Sequence, residues 1–296
     1  MEGNSSMEIR VFSPASFPSP RKSWMDSLDL VYQASLPSET FAGFARSDEQ
    51  RAIELNNILS SNVLAMASRG GYGCQRMLPH LDIPQRIEAK LCGFSDLTVL
   101  LNYLYQKYDA LCFHGPMMQW PNETQMSSLM WQSFQSIVLK NSQFDCTFQG
   151  QFLNCKALNG PIIGGNLSVI CASLGTPYAP NLSGKLLFLE DINEPTYKID
   201  RMLDQLSKQS DFKNLRGMLF GSFNNCNISP NDSGDLNINE LITDFCSRYQ
   251  IPAIIGLPVG HLDDFVCFRI GSQVRFEALG NSQIFWRIEG LNGSNR

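Results

Sequence analysis

Two short glycine-containing turns are the places in this sequence where chemistry is easiest to build. Arg69-Gly70-Gly71-Tyr72-Gly73 follows the apolar run Asn62–Ser68 (NVLAMAS). Three glycines in four positions allow a sharp turn that aims backbone N–H groups at an anion. The pattern is neither GxGxxG nor a P-loop ending in GK[ST], so it carries no nucleotide signature. A tight turn needed only for packing uses the same residues. Gly93-Phe94-Ser95-Asp96 follows a run ending at Cys92 and leads into LTVLLNYLY. A serine on a sharp turn between strand and helix is the layout of a nucleophile elbow, and the helix N-terminus offers N–H groups to a developing oxyanion. Leu97 stands at the second glycine position of GxSxG. On residue types alone, a plain N-cap is the commoner role for Ser95.

A serine nucleophile needs a base and the base needs an orienting carboxylate. The chain has three histidines. His80, inside MLPHLD, reads as a surface or turn residue. His114 ends the run ALCFH and borders Gly115-Pro116. His261 follows PAIIGLPVG, in a glycine-flanked loop after a strand, where functional groups concentrate. Glu190 ends the apolar run Gly184–Glu190 (GKLLFLE), with Asp191 and Glu194 after it. A carboxylate at the end of a buried strand is held rigidly and suits an imidazolium, although a cap for the next helix is the alternative. Together these residues propose Ser95, Glu190 and His261 as a triad in the chain order Ser–Glu–His.

Such residues must be delivered by a scaffold, and the hydrophobic pattern supplies one. Runs of four to eight apolar residues recur at Asn62–Ser68, Ala110–His114, Gly184–Glu190, Gly217–Phe223 and Pro252–Leu257, each bounded by Gly, Pro, Asn or Ser. Buried parallel strands have this form. Helical patterns lie between them. Ser47 and Gln50 form a capping box ahead of a stripe of Ala52, Ile53, Leu55, Ile58 and Leu59. Further helices follow Ser95 and run through Tyr197–Leu206. Alternating strands and helices predict an α/β protein with mainly parallel sheet, whose ligands bind beyond the carboxyl ends of the strands. The end differs: Val266–Ile270, a Gly271–Ser272 turn and Gln273–Glu277 read as an antiparallel hairpin. Asn141–Leu158 lacks a clear helix and reads as a crossover.

Composition excludes several classes. The chain has 296 residues, 43% hydrophobic and 17% charged, which is long enough for two domains. A net charge of −5 without blocks of like charge argues against nucleic-acid and membrane-surface partners. No apolar run approaches the roughly 18 residues of a membrane span, and the start MEGNSSMEIR lacks the look of a signal peptide, so the expected location is the cytoplasm. Nine scattered cysteines without a CxxC pair predict neither a disulfide framework nor a metal site, but small buried hydrophobes.

In both wording and order, RGGYG, MLPHLD, GFSDLT, FHGP, IIGGNLSV, LLFLEDINEPTYKIDRML and GLPVGH resemble the LD-carboxypeptidases. These are muramoyl-tetrapeptide carboxypeptidases, whose relatives include the microcin C self-immunity peptidases. The resemblance runs from about Ile9 to Phe276. It implies a two-domain serine peptidase: a Rossmann-like nucleophile domain over 1–140, a linker over 141–160, and a mixed α/β domain over 161–296, with the site between them. Matched motif by motif, it implies Ser95 as nucleophile, Glu190 as orienting acid and His261 as base. The backbone N–H groups of Gly71 and Asp96 would form the oxyanion hole, and Asn166 would bind substrate.

The implied reaction removes the terminal D-Ala of murein tetrapeptide, a step of peptidoglycan recycling, by a homodimer using no cofactor and no metal. Arg69, beside the glycine turn, is a candidate for the substrate carboxylate. The rival readings are a microcin-type peptidase acting on an adenylate conjugate, with Trp120 or Trp131 stacking on a nucleobase, and a non-catalytic binding homologue.

Overall fold

The computed structural model describes residues 7–18, 32–34, 36–38, 40–119, 128–226 and 237–291. In chain order the first half forms β1 (Ile9–Phe12), β2 (Tyr32–Ala34), α1 (Asp48–Leu59), β3 (Leu64–Ala67), α2 (Cys74–Met77), β4 (Lys90–Gly93), α3 (Thr98–Tyr108), β5 (Cys112–His114) and α4 (Ser128–Ser133). The second half adds β6 (Phe144–Gln149), β7 (Gln151–Leu153), β8 (Ala157–Asn166), α5 (Leu167–Ser173), β9 (Leu186–Ile192), α6 (Thr196–Ser207), β10 (Gly217–Asn224) and α7 (Ile238–Tyr249). It ends with β11 (Ala253–Ile255), β12 (Phe268–Arg269), β13 (Gln273–Gly280) and β14 (Gln283–Ile288).

Two sheets organise these elements, as expected of a mixed α/β fold. The first has the order β12–β5–β4–β3–β1–β2. Strands β1 to β5 are parallel, and β12 closes one edge antiparallel to β5. They are short; the central strands β3 (LAMA), β4 (KLCG) and β5 (CFH) are buried throughout, whereas the edge strand β2 (YQA) is largely exposed. The strand order reverses between β1 and β3, the place where open α/β sheets bind ligands, and the loops leaving those two strands meet there, Tyr72 N–H donating to Ser16 Oγ and Arg69 to Phe17 O. The second sheet runs β6–β14–β13–β8–β9–β10–β11–β7. Its parallel centre, β8 to β11, again delivers loops to one end.

Helix α1 begins as the sequence predicts. Gln50 N–H donates to Ser47 Oγ and Ser47 N–H to Gln50 Oε1, both at 3.3 Å. Its buried stripe differs in one residue. Ile53 is 57% exposed, while Arg51 is fully buried. Position 53 lies two residues from both 51 and 55, about 200° around the helix from each, so it cannot share their face. Arg51 is tolerated inside because its guanidinium donates to Pro14 O, Arg46 O and Gly73 O and pairs with Asp48.

Two other expectations change. The segment Asn141–Leu158 is not a bare connection, since β6, β7 and the start of β8 place it in the second sheet. The expected hairpin about Gly271–Ser272 is absent: β12 belongs to the first sheet and β13 to the second. Ile270 N–H still donates to Cys112 O, whereas Gly271 N–H already donates to Ile162 O, so the turn is a step between sheets. The true hairpin joins β13 and β14 through Asn281 and Ser282, both at positive φ (50° and 60°), as a type I′ turn requires.

The sheets are stitched together close to the site. Asn102 of α3 donates to Gly164 O at 2.9 Å and accepts from Gly164 N–H at 3.1 Å. Asn166 N–H donates to Thr98 Oγ1 at 2.9 Å. Gly165 permits this approach, because a Cβ there would lie 2.2 Å from Thr98 Oγ1. Phe94, Phe188, Phe265 and Phe268 fill the space behind, ringed about the buried His114.

Candidate active site

Ser95 stands immediately beyond β4, at the start of a 3₁₀ turn, Ser95–Leu97, that runs straight into α3. Its φ is 62°, a left-handed conformation uncommon outside glycine. That strain marks an elbow, and the turn has no side-chain cap bond, so the N-cap role is not the one Ser95 fills. Gly93 makes the elbow sterically possible: a Cβ there would meet Leu97 Cδ2 at 2.7 Å. Leu97, at the position of the second glycine of GxSxG, therefore packs into room left by the first.

His261 reaches Ser95 from the second half. It lies on the loop after β11, half a dozen residues beyond the strand, and its Nε2 is 3.2 Å from Ser95 Oγ. Its Nδ1 is 2.7 Å from Glu190 Oε2. A carboxylate only accepts, so Nδ1 carries the proton there and Nε2 is left to accept from the serine hydroxyl. Glu190 is the fifth residue of β9 and wholly buried; α6 begins six residues later, so Glu190 is no helix cap. The imidazole is fixed further by the edge of Phe94 at 4.9 Å between centroids. Asn224 of β10 donates its amide to His261 O. Gly260 has φ 107°, and a Cβ on it would lie 2.8 Å from Glu190 Cβ. The glycine before the histidine in GLPVGH thus lets this loop pass directly over the carboxylate.

The glycine turn faces the same hydroxyl. A Cβ on Gly70 would sit 2.9 Å from Ser95 Cβ and 3.0 Å from Ser95 Oγ. Gly71, with φ 111°, crowds Ser16 in the loop after β1, whose Oγ accepts from Tyr72 N–H at 3.1 Å. Arg51 donates to Gly73 O at 2.9 Å, and Asp96 Oδ2 accepts from Cys74 N–H at 2.8 Å. Burial raises the pKa of the Asp96 carboxyl, with the Cys74 N–H opposing the shift.

The remaining sequence candidates divide. Asn166 Oδ1 accepts from Val169 N–H at 3.2 Å and caps α5, while Nδ2 donates to Asp191 Oδ1 at 3.0 Å. Only one of its two amide N–H groups is used in these bonds. Arg69 is half-buried and donates to Phe17 O at 3.2 Å. His80 is exposed on a 3₁₀ turn. His114 is buried, and desolvation together with the nearby His261 holds its pKa down at about 3, so it is neutral. Trp131 stacks on Phe134 at 5.9 Å, and Trp120 lies outside the described residues.

Sequence reasoning passed over Arg51 and Asn102 and read Asp191 only as a neighbour of Glu190 ahead of the next helix, whereas it is a residue of β9. Each signals itself only as a polar residue in apolar company. Burial raises Asp191 to about 6 despite N–H donors from Ile192, Ser168 and Asn166. All nine cysteines are free thiols, seven buried and Cys146 and Cys155 half-buried. Among the described residues no three His, Cys, Asp or Glu side chains cluster as metal ligands, and no helix is long and apolar enough to cross a membrane.

Comparison with known proteins places the chain in a family. Residues 9–115 match the LD-carboxypeptidase N-terminal domain and residues 159–276 the LD-carboxypeptidase C-terminal domain. The murein tetrapeptide carboxypeptidase of Pseudomonas aeruginosa is 30% identical over 229 residues, covering 72% of each chain. A crystal structure of muramoyltetrapeptide carboxypeptidase from Oxalobacter formigenes superposes with a TM-score of 0.82 at 26% identity, covering 96% of this chain and 100% of the other. The fold is shared as well with a microcin C7 self immunity protein in complex with aspartyl sulfamoyl adenosine (TM-score 0.82, 19% identity, 97% of this chain and 96% of the other). With both domains matched in order along most of its length, this chain belongs to the LD-carboxypeptidase family.

Proposed function

We propose that this protein is a serine carboxypeptidase that cleaves the amide between an L-configured centre and the terminal D-Ala of murein tetrapeptide. The observation that carries the reading is the hydrogen-bonded line from Ser95 Oγ through the His261 imidazole to the buried Glu190 carboxylate. In this reading His261 Nε2 takes the Ser95 proton as Oγ bonds to the amide carbon. The Gly71 and Asp96 N–H groups receive the oxyanion, and Glu190 steadies the imidazolium. The C–N bond then breaks, and His261 returns the proton to the amine of D-Ala. Water, deprotonated by the same imidazole, hydrolyses the acyl-enzyme and frees Ser95. Arg69 and the second amide N–H of Asn166 are assigned to the substrate's polar groups.

The family, and the murein tetrapeptide activity named for a relative at 30% identity, support this substrate class. No described residue favours the adenylate-conjugate reading, since Trp131 is already stacked on Phe134, just beyond the end of α4. The test is a side-by-side incubation with murein tetrapeptide and an aminoacyl adenylate conjugate. Release of D-Ala and tripeptide from the first, with the second turned over at least tenfold more slowly, is the expected result. The reverse order would replace this reading with the conjugate peptidase.

A further inference from the structure

The glycine turn and the nucleophile elbow come from different loops, after β3 and after β4. If the N–H groups of Gly71 and Asp96 are to bind one oxygen, something must hold the two loops in register. Three anchors grip the glycine turn: Ser16 Oγ at Tyr72 N–H, Arg51 at Gly73 O, and Asp96 Oδ2 at Cys74 N–H. Only the last comes from the elbow itself. The side chain that closes this bridge belongs to the residue whose own N–H is the second oxyanion donor.

The local fold shows why a bond from outside is needed. Cys74 is the first residue of α2, and the N-cap position, Gly73 (φ 128°), makes no side-chain cap bond. A serine or threonine at 73 would cap the helix in most proteins, but the left-handed backbone there favours glycine. The N–H of Cys74 is buried and must find an acceptor elsewhere, and Asp96, itself 6% exposed, provides it. Holding a carboxyl group in so dry a place carries a desolvation cost that α2, only four residues long, does not by itself explain.

We propose that the Asp96 side chain is a positioning residue, a strut that locks the Gly70–Gly73 turn to the Ser95 elbow and so fixes the spacing of the two oxyanion donors. This rests on the Ser95 reading above and adds a role for the side chain to that of its backbone. The strut works as a hydrogen-bond acceptor; the negative charge is not what is required. A neutral acceptor of the same shape therefore retains the function, and an apolar side chain of the same shape loses it.

The experiment compares Asp96→Asn, Asp96→Leu and Asp96→Ala with the unaltered chain by the rate of labelling with a serine-directed fluorophosphonate, whose P=O occupies the oxyanion position. Melting curves identify the variants that remain folded, and either apolar variant suffices. The expected result is labelling about 10–100-fold slower for Leu and Ala, the scale of an ångström-level misplacement. Asn recovers most of that loss, and tetrapeptide KM changes by less than about threefold while kcat falls with the labelling rate. A folded Leu or Ala variant that labels as fast as the unaltered chain overturns the strut. So does an Asn variant as slow as Leu. Failure of the unaltered chain to label at Ser95 overturns the nucleophile reading instead, which separates the two.

Discussion

Replacing Gly70 with alanine isolates the fit between the glycine turn and the nucleophile. The backbone at Gly70 lies outside the left-handed range, so alanine meets no conformational penalty of the kind expected at Gly71 or Gly73. What it meets is Ser95. The added methyl would lie 2.9 Å from Ser95 Cβ and 3.0 Å from Oγ, with Asp96 N at 3.7 Å. Carbon atoms in contact prefer about 3.5–4.0 Å, so turn and elbow must separate by roughly 0.6–1.1 Å. Attack needs Oγ about 3–3.5 Å from the carbonyl carbon, and a displacement near 1 Å costs about 10²-fold in rate, or about 2.7 kcal/mol of transition-state stabilisation. Steady-state assay of D-Ala release should therefore show kcat down about 100-fold in Gly70→Ala, with a thermal midpoint within a few degrees of the unaltered chain. Activity within threefold of normal in a folded Gly70→Ala protein would refute the claim that the turn abuts a working nucleophile.

Three further substitutions test other parts of the site. Glu190→Gln keeps shape but offers His261 Nδ1–H an amide in place of a carboxylate at the 2.7 Å contact, and kcat should fall about 10³–10⁴-fold with little change in KM; a loss under tenfold would remove Glu190 from the machinery. Arg69→Ala, if the guanidinium meets the substrate carboxylate, should raise KM about 10–100-fold at nearly constant melting temperature, and unchanged kinetics would dispose of that role. His114→Phe addresses stability. The native imidazole stays neutral down to about pH 3, whereas in the unfolded chain it titrates near 6.5. Between those values only the unfolded state binds the proton, so stability falls as pH falls, by about 2 kcal/mol at pH 5. Urea unfolding at pH 7 and pH 5 should show a smaller drop in the Phe variant; an equal drop would contradict the buried, neutral assignment.

The three side chains that the fold brings within hydrogen-bonding distance each lie at the end of an apolar run or after one, and the carboxyl ends of strands are where an open α/β sheet presents side chains. Ser95, Glu190 and His261 were thus legible from local pattern, and the family resemblance pointed to the same three. The β12–β13 step was misread for a physical reason: a glycine turn between two alternating runs looks the same whether the strands pair with each other or with β5 and β8. Helix periodicity placed Ile53 among the buried residues by its apolarity, while the true stripe admits Arg51, whose partners at Pro14 and Gly73 are 37 and 22 residues away. The Asn102–Gly164 stitch spans 62 positions, and no local signal announces it. Pattern reading found polar residues at or beyond the apolar runs and missed those whose partners are distant in sequence.

The most direct test of the central claim is the turnover of murein tetrapeptide by Ser95→Ala, by His261→Ala, and by the combined Ser95→Ala/Glu190→Gln/His261→Ala protein. Groups acting as one nucleophilic unit are non-additive, so removing the hydroxyl alone should abolish D-Ala release as completely as removing all three. Appreciable release by Ser95→Ala, or a further tenfold decline from the single to the triple variant, would show that the three side chains do not work as a relay centred on Ser95.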